Sequence, residues 1–347
     1  MDAVQETGKK VLEALDKVVV GYKNEKRLML AALLARGHVL LEGVPGIAKT
    51  TLVRALARAL GVPGESITIN GVPFRGFVRI QFTPDLMPSD VTGSLIYNPA
   101  TRDFEPKLGP IFAYIVLADE INRATPRTQA ALLEAMQEKQ VTIGGCTYAL
   151  EDLENGKFFI VAATQNPVEQ EGTYPLPEAQ LDRFIIRMIM GYPETLEEEK
   201  LILKLHAEII REPVEGLEAV TNPSWVIQAQ KYVASKIEVS ERTLDYITRL
   251  VRFTRPEQLP QARDFFELGA SPRGAIALLR MAKAWAFVNG RLRADIEDVD
   301  AVLYPTLNHR VIPGVEKVLE AEERYGRYTA RYAVIAEGLE FVKKNAK

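Results

Sequence analysis

The residues with the clearest chemical signature lie in the stretch from His38 to Leu60. A short apolar run there is followed by a glycine-containing turn and then by a helical pattern. Glycines allow backbone N–H groups to turn toward phosphate oxygens, and the start of a helix carries partial positive charge. The pattern therefore predicts a phosphate-binding loop for a nucleotide, formed by Gly43, Val44, Pro45, Gly46, Ile47, Ala48, Lys49, Thr50 and Thr51.

Three residues of this loop carry specific expectations. Lys49 is expected to reach the β- and γ-phosphates of ATP, and the Thr50 hydroxyl to bind Mg²⁺. Ala48 stands where the general pattern G-x-x-x-x-G-K-[ST] has its last glycine. Because alanine is the smallest substitute and suits a first helical turn, we expect the loop to keep its shape. The alternative is an ordinary strand-to-helix turn with a surface lysine, which the flanking elements disfavour.

A pair of acidic residues follows the next strongly apolar segment. The run Ile111–Leu117 predicts a strand that is buried on both faces of a parallel sheet. Carboxylates at the end of such a strand are costly to place without a cation. Asp119 is expected to hold the Mg²⁺ shell, directly or through water, and Glu120 to polarise the water that attacks the γ-phosphate. The alternative is a strand end that simply reaches solvent.

Two polar residues further along the chain fit the same chemistry. Asn166 follows the predicted strand Phe158–Ala163 and is expected beside the acidic pair, where it would orient the attacking water. An Asn-Pro turn explains the same residues equally well without those neighbours. Arg183 ends the segment LPEAQLDRF without an obvious internal partner. A permanently charged arginine at a domain edge suits completion of a neighbouring subunit's γ-phosphate site.

The residues before the loop predict two helices within 4–36, separated by a break at Gly21. The break has the sequence VVVGYKNE, so Val20 and Gly21 form an apolar turn just ahead of the loop. Such a turn would hold an adenine ring, and a simple helix–helix turn is an equally good interpretation.

The remaining pattern predicts the elements that position these residues. After the first loop helix we expect an irregular segment Gly61–Gly76, a strand Phe77–Phe82, a hairpin around Asn98-Pro99 and a second hairpin over Gln140–Tyr148. A boundary at Tyr192–Pro193 precedes a strongly helical region. In it, apolar and aromatic residues at helical spacing are expected to face a core: Leu201, Leu205, Ile209, Tyr325, Tyr328 and Tyr332.

Composition narrows the class of protein. With 347 residues the chain is long enough for two domains, and its net charge of −3 gives no general attraction to nucleic acid or anionic membrane. No apolar run approaches the roughly 20 residues that span a bilayer. The single cysteine, Cys146, excludes an internal disulfide, and the N-terminus MDAVQETGKK lacks the apolar core of a signal peptide. We therefore expect a cytoplasmic protein without membrane insertion.

Several long strings together resemble the MoxR family of AAA+ ATPases over about residues 10–310. They are GVPGIAKT, VLADEINRATPRTQAALLEAMQE, ATQNPVEQEGTYPLPEAQLDRF and GASPRG. The resemblance implies an α/β fold, namely a P-loop NTPase αβα sandwich with a parallel sheet, followed by an all-α lid domain. It places the ATP-binding core with its N-terminal helices at 1–192 and the lid with a C-terminal extension at 193–347.

The family pattern also assigns roles by position. Lys49 and Thr50 match the Walker A residues, Asp119 and Glu120 the Walker B pair, Asn166 sensor 1, and Arg183 the arginine finger acting in trans. Arg273, in the string SPR, matches sensor 2, and is expected to start a helix that directs it toward the phosphates.

The resemblance implies hydrolysis of ATP with Mg²⁺ by a ring, usually a hexamer. It further implies chaperone-like remodelling of a client protein, often with a von Willebrand A-domain partner. Alternatives are a nucleic-acid motor, a metal-chelatase motor subunit and a nucleotide-gated scaffold. Basic residues in the first hairpin, Arg102 and Lys107, are offset by Asp103 and Glu105, which makes nucleic acid the less favoured partner.

Overall fold

The computed structural model describes residues 2–166, 172–207 and 212–347. The strands are β1 His38–Glu42, β2 Ile67–Ile69, β3 Val72–Gln81, β4 Gly93–Asn98, β5 Asp103–Leu108, β6 Ala113–Asp119, β7 Gln140–Ile143, β8 Cys146–Ala149, β9 Ile160–Gln165, β10 Phe184–Ile189, β11 Glu238–Val239, β12 Phe266–Leu268, β13 Arg293–Ala294 and β14 Ile312–Pro313.

The helices follow the same order along the chain. They are α1 Ala3–Asp16, α2 Lys23–Leu34, α3 Lys49–Ala59, α4 Pro88–Thr92, α5 Pro126–Glu138, α6 Glu178–Leu181, α7 Leu196–Ala207, α8 Pro223–Lys236, α9 Glu241–Phe253, α10 Pro272–Val288, α11 Ile296–Leu307, α12 Val315–Tyr325 and α13 Arg327–Ala346.

The central element is a six-stranded sheet with the order β10-β1-β9-β6-β3-β2. Its first five strands are parallel, and β1 and β6 are buried along their whole length, as predicted from their apolar sequences. The register pairs Glu42 with Gln165, and it pairs Gln81 with Asp119. The carboxyl ends of these strands therefore meet at one edge, which brings the phosphate-binding loop and the acidic pair together.

The segment Gly61–Gly76 differs from its prediction. It was expected to be irregular, but it contains β2 and the first half of β3, which pair antiparallel. Asn70 and Gly71 connect them with φ angles of 51° and 78°. Two residues with positive φ are the geometry of a tight hairpin turn, and Asn-Gly is its preferred sequence. Asn70-Gly71 therefore indicates a hairpin, but the segment was predicted to be irregular because it is rich in Pro and Gly.

Both predicted hairpins are present, as β4–β5 and β7–β8. The first exposes several large apolar side chains, among them Tyr97 and Phe104, whose rings contact each other edge to face. The second turns through Gly144 and Gly145, and the Leu95 side chain of the first hairpin lies where a Cβ of Gly144 would sit. The two hairpins are therefore in contact.

The helical part of the chain is less uniform than predicted. It includes two short strand pairs, β11–β13 and β12–β14, among its helices. The final stretch is not one helix, because Gly326, with φ of 79°, separates α12 from α13. The N-terminal α2 packs against both α8 and α10. The boundary at Tyr192–Pro193 remains a prediction.

One buried lysine stabilises the amino end of the sheet. Lys157 has no exposed surface, and its ammonium lies 4.7 Å from the ring centroids of both Phe74 and Tyr114. The ammonium donates to three backbone carbonyls at 2.7–2.8 Å, those of Ala113, Leu150 and Phe158. Burial lowers the pKa of Lys157 to about 7.

The described part of the chain has neither a membrane-spanning helix nor a metal-binding cluster of side chains. Within residues 2–166, 172–207 and 212–347, no helix combines the length and the apolar character that crossing a bilayer requires. The same residues contain no group of three or more His, Cys, Asp or Glu side chains arranged to hold a metal ion.

Candidate nucleotide site

The phosphate-binding loop leaves β1 at Glu42 and enters α3 at Lys49. A Cβ on Gly43 would approach the Met190 carbonyl oxygen to 2.5 Å, so this position requires glycine. Ala48 has φ of 62° and lies just before the helix, in the left-handed region. The expectation that it belongs to the first helical turn was wrong. The left-handed conformation is also why the general pattern has glycine there, since alanine costs about 1–2 kcal/mol in it.

The loop opens onto a cleft of about 760 Å³, a size suited to a small-molecule ligand. The cleft gathers most of the predicted site residues: Val20, Pro45, Gly46, Ile47, Ala48, Lys49, Thr50, Thr51, Asp119, Glu120 and Asn166. Gly21, Gly43 and Val44 do not line it, although the carbonyls of Gly43 and Val44 accept hydrogen bonds from the Lys49 ammonium.

Lys49 lies between the loop and the acidic residues. Burial is the main cause that lowers the pKa of Lys49, while the charges of Asp119, Glu120 and Glu42 oppose the shift. Its hydrogen bonds to loop carbonyls, at 3.0 Å for Val44, are the contacts that a phosphate oxygen would replace. The ammonium is therefore in place to bind an anionic ligand at the start of α3.

Asp119 is held by two residues that the sequence did not identify. Its Oδ2 accepts from Nε and Nη2 of Arg79, at 2.8 and 2.5 Å. Its Oδ1 accepts from the Thr164 hydroxyl at 2.5 Å. Asp119 is only 7% exposed, and the Thr50 hydroxyl lines the same cleft. A buried carboxylate and a hydroxyl beside a phosphate loop are oxygen ligands of the kind Mg²⁺ prefers, so these residues fit that ion.

Glu120 has a strained backbone and a fixed side chain. Its φ is 55°, uncommon for a residue other than glycine, and its N–H donates to the Thr164 hydroxyl at 2.9 Å. Its carboxylate accepts from Gln81 Nε2 at 2.8 Å and pairs with Arg123 Nε at 3.1 Å. Such strain persists where the surrounding structure enforces it, and it clusters at functional sites.

A signal for the unpredicted partners was present in the sequence. Arg79 and Gln81 are two residues apart on β3, and therefore share one face of the strand. What the sequence did not reveal is that β3 lies next to β6, so that this face meets Asp119 and Glu120.

The base of the loop contacts the last helix of the chain. Glu42 is 2% exposed and accepts hydrogen bonds from Gln165 Nε2 at 3.0 Å and from the Tyr332 hydroxyl of α13. Arg187 Nη1 lies 3.8 Å from its carboxylate. Burial and the charge of Glu42 raise the pKa of Tyr332, so its hydroxyl remains a donor. Of the three tyrosines expected to pack inward, Tyr325 and Tyr328 are instead exposed.

The cleft also has apolar lining residues. They include Val20 and Tyr22, and Ile202, Leu203 and Leu205 of α7. The described part of α7 has no buried residue, so the expectation that Leu201 and Leu205 face a core was wrong; Ile209 lies outside the described residues. α7 borders the cleft instead, where a nucleotide base would cover Ile202, Leu203 and Leu205.

Arg183 and Arg273 do not line this cleft. Arg183 directly precedes Phe184, which pairs with His38 at the amino end of β1. The loop leaves the other end of β1, four residues further, which is about 13 Å along the strand. Both arginines line a second pocket of about 230 Å³ together with Arg36, Lys139, Arg280 and Arg310.

Arg273 lies in the first turn of α10, as predicted, but it does not line the cleft of its own chain. Its Nη1 lies 3.8 Å from Asp182 Oδ2, and its side chain is 65% exposed. The pocket that it shares with Arg183 is at the opposite edge of the sheet from the loop.

Comparisons with known proteins agree with this geometry. Residues 38–186 match the ATPase family associated with various cellular activities (AAA), and residues 261–324 match an AAA lid domain. The chain is 47% identical to the uncharacterized protein YeaC of Bacillus subtilis, covering 87% of this chain and 86% of that one. It is 40% identical to chaperone MoxR1 of Mycobacterium tuberculosis, covering 85% and 73%.

A solved structure extends the likeness to nearly the whole fold. A protein from Cytophaga hutchinsonii, described as an ATPase, superposes with a TM-score of 0.80 at 40% identity and covers 97% of this chain and 94% of its own. The phosphate loop after β1, the acidic pair at the end of β6 and the helical lid define an AAA+ ATPase. Within that class, the chain belongs to the MoxR family.

Proposed function

We propose that this protein hydrolyses ATP to ADP and phosphate only as a ring of identical subunits, with six as the expected number. The observation that carries the proposal is the division of the site. One chain supplies the phosphate loop, the magnesium ligands and a candidate base, whereas Arg183 and Arg273 lie at the opposite edge of its sheet. A second copy would bring Arg183 to the transferring phosphoryl group.

The proposed roles follow from the contacts. The loop N–H groups and Lys49 bind the phosphates, and Thr50 and Asp119 would hold Mg²⁺. When bound, Mg²⁺ offsets negative charge on the β- and γ-phosphate oxygens. Glu120 accepts the proton of the attacking water, and Asn166 orients that water. Glu120 can accept a proton from water only when its carboxylate is released from Gln81 and Arg123, because these contacts occupy it.

The second copy completes the site by electrostatics. Arginine is always charged, and a guanidinium aimed at the transferring phosphoryl group stabilises the charge that develops there. Arg183 of one protomer takes that role at the next protomer's cleft, and Arg273 lies in the same pocket and would act beside it. Hydrolysis should therefore depend on assembly.

We further propose that the energy of hydrolysis remodels or matures a client protein complex. One relative is named a chaperone, which supports this role. The β4–β5 hairpin supports a protein client, because it exposes Leu95, Ile96, Tyr97 and Phe104 and has balanced charge. The family resemblance favours a von Willebrand A-domain protein as a partner.

The test is the ATPase rate per protomer measured against protein concentration, with light scattering after size-exclusion chromatography to follow assembly. The rate should rise steeply as rings form. A flat rate from a monomeric species would overturn the shared site. Arg183→Ala protein mixed with Glu120→Gln protein should regain activity, because hybrid interfaces then combine an intact cleft with an intact arginine.

A further inference from the structure

Arg310, just after α11, donates hydrogen bonds to the chain on both sides of Arg183. Its side chain is 4% exposed. Nε donates to Asp182 Oδ1 at 2.7 Å, and Nη2 donates to the carbonyls of Asp182 and Phe184 at 3.2 and 2.6 Å. Nη1 donates to the Ile185 carbonyl at 3.0 Å and also to the Thr306 carbonyl of its own helix. Arg183 therefore sits between two backbone carbonyls that one buried guanidinium holds.

The two residues before Arg310 hold the same strand. His309 Nε2 lies 2.9 Å from the Phe184 carbonyl oxygen. Asn308 Nδ2 donates to the Arg187 carbonyl at 3.0 Å, and Arg187 Nε donates back to Asn308 Oδ1 at 3.0 Å. Three consecutive residues just after α11 thus attach the helical part of the chain to β10, the strand that begins one residue after Arg183.

Asp182 connects this attachment to Arg273. The carboxylate pairs with Arg310 at 2.7 Å and lies 3.8 Å from Arg273. Several other cations line the same pocket, so an unpaired arginine there would be repelled by its neighbours. A buried guanidinium is costly unless its donors are satisfied, and its planar fork fixes the groups that it binds. Asp182 and the backbone at Arg183 therefore have one well-defined arrangement while Arg310 is in place.

We propose that Arg310 is a positioning residue for catalysis in the neighbouring protomer. It holds the backbone on both sides of Arg183, and Arg273 through Asp182, in the geometry in which one subunit presents them to the next subunit's nucleotide. A consequence is that the end of α11 and Arg183 move as one unit, so a displacement of the helical domain displaces the arginine. The inference rests on the proposed function, because it assumes that Arg183 acts between subunits.

The first experiment is Arg310→Met in the full-length protein. A displacement of about 1 Å at a catalytic group costs about 10²-fold in rate, so kcat should fall by about that factor. Ring size and the affinity of the variant's own cleft for a fluorescent ATP analogue should stay unchanged. Arg293→Met is the matched control, since Arg293 is 57% exposed on the same helical domain and pairs only with nearby Asp295.

A combined variant separates positioning from general damage. If Arg310 acts through Arg183 and Arg273, then adding Arg310→Met to Arg183→Ala/Arg273→Ala should slow hydrolysis no further. Residues that act as one unit have non-additive effects. Two independent losses that multiply would overturn the inference.

Mixed rings give the decisive measurement. A protomer with Arg310→Met retains its own cleft, so it should turn over ATP when a Glu120→Gln neighbour supplies an intact Arg183. With random mixing at equal concentrations, about one quarter of the sites have this combination, and the rate should approach about one quarter of wild type.

The outcomes distinguish the two proposals. Recovery with Arg183→Ala but not with Arg310→Met overturns the positioning role alone. Failure of both mixtures, with mixed rings verified, overturns the shared site itself. If Arg310→Met does not fold, Arg310→Lys and Asp182→Asn replace it in the same mixtures. Both substitutions weaken the contact between residues 310 and 182 but leave some hydrogen-bond donors in place. Both should therefore show a smaller loss of ATPase rate, and mixing with Glu120→Gln protein should reverse it.

Discussion

Replacing Arg79 with methionine should strengthen the magnesium-dependent part of nucleotide binding. Arg79 donates twice to Oδ2 of Asp119, while Thr164 occupies Oδ1. A metal ion at this carboxylate needs a lone pair that the guanidinium now takes. Arg79 therefore competes with Mg²⁺ for Asp119, and its removal frees the ligand.

The size of the effect follows from the exposure of the two side chains. The Arg79 side chain is 52% exposed and the Asp119 side chain 10%. Fully exposed ion pairs contribute about 0.2–1 kcal/mol, whereas breaking a buried pair costs about 3–5 kcal/mol. This pair lies between those limits, at about 1–2 kcal/mol. The corresponding gain in magnesium-dependent affinity is about 5- to 30-fold.

The assay is titration with a fluorescent ATP analogue, in Mg²⁺ and in EDTA, for wild type, Arg79→Met and Arg75→Met. Arg75 is exposed on the same face of β3, two positions from Phe77 and away from Asp119, so it is the matched control. The ratio of the two dissociation constants isolates the metal contribution from any direct contact between Arg79 and phosphate. An unchanged or reduced ratio in Arg79→Met would refute competition with the metal.

Three further predictions concern other parts of the molecule. Glu120→Gln should retain ATP binding but lose turnover, because an amide cannot accept the proton of water; binding and phosphate-release assays check this. Tyr332→Phe should lower the free energy of unfolding by about 1–3 kcal/mol in chemical denaturation, because the buried Glu42 carboxylate loses a donor. Lys157→Met should flatten the rise of stability between pH 7 and pH 10, measured by denaturation at several pH values.

The direction of the last effect follows from proton counting. Burial lowers the pKa of Lys157 to about 7 in the folded protein, below its value of 10.5 in the unfolded chain. Between these values the unfolded chain binds more protons, so this group makes stability rise with pH, by at most about 1.4 kcal/mol per pH unit. The difference between wild type and variant isolates it, and parallel curves would contradict the prediction.

The predictions for Tyr332→Phe and Glu120→Gln each have an outcome that would contradict them. Tyr328→Phe removes a hydroxyl from a side chain that is 53% exposed, and should leave stability unchanged. If Tyr328→Phe and Tyr332→Phe lowered the free energy of unfolding equally, the hydrogen bond from Tyr332 to Glu42 would not be the cause. Normal turnover in Glu120→Gln would remove Glu120 as the base.

The sequence alone determined the backbone paths that depend on local pattern. The glycine-containing loop, the buried strand before Asp119 and both hairpins were read correctly, because strand alternation, continuous apolar runs and turn residues act over a few neighbouring positions. The gathering of the loop and the acidic pair also followed, since the carboxyl ends of parallel strands share one edge of a sheet.

Only the tertiary structure decided which side chains meet across the fold. Arg79 contacts Asp119 because β3 lies beside β6, and Arg273 faces away from its own cleft because α10 begins beside Asp182. Arg310 reaches the backbone around Arg183 across more than a hundred residues of sequence. Such contacts depend on strand order and on the packing of distant helices, and these arise from the burial of the whole core rather than from any local pattern.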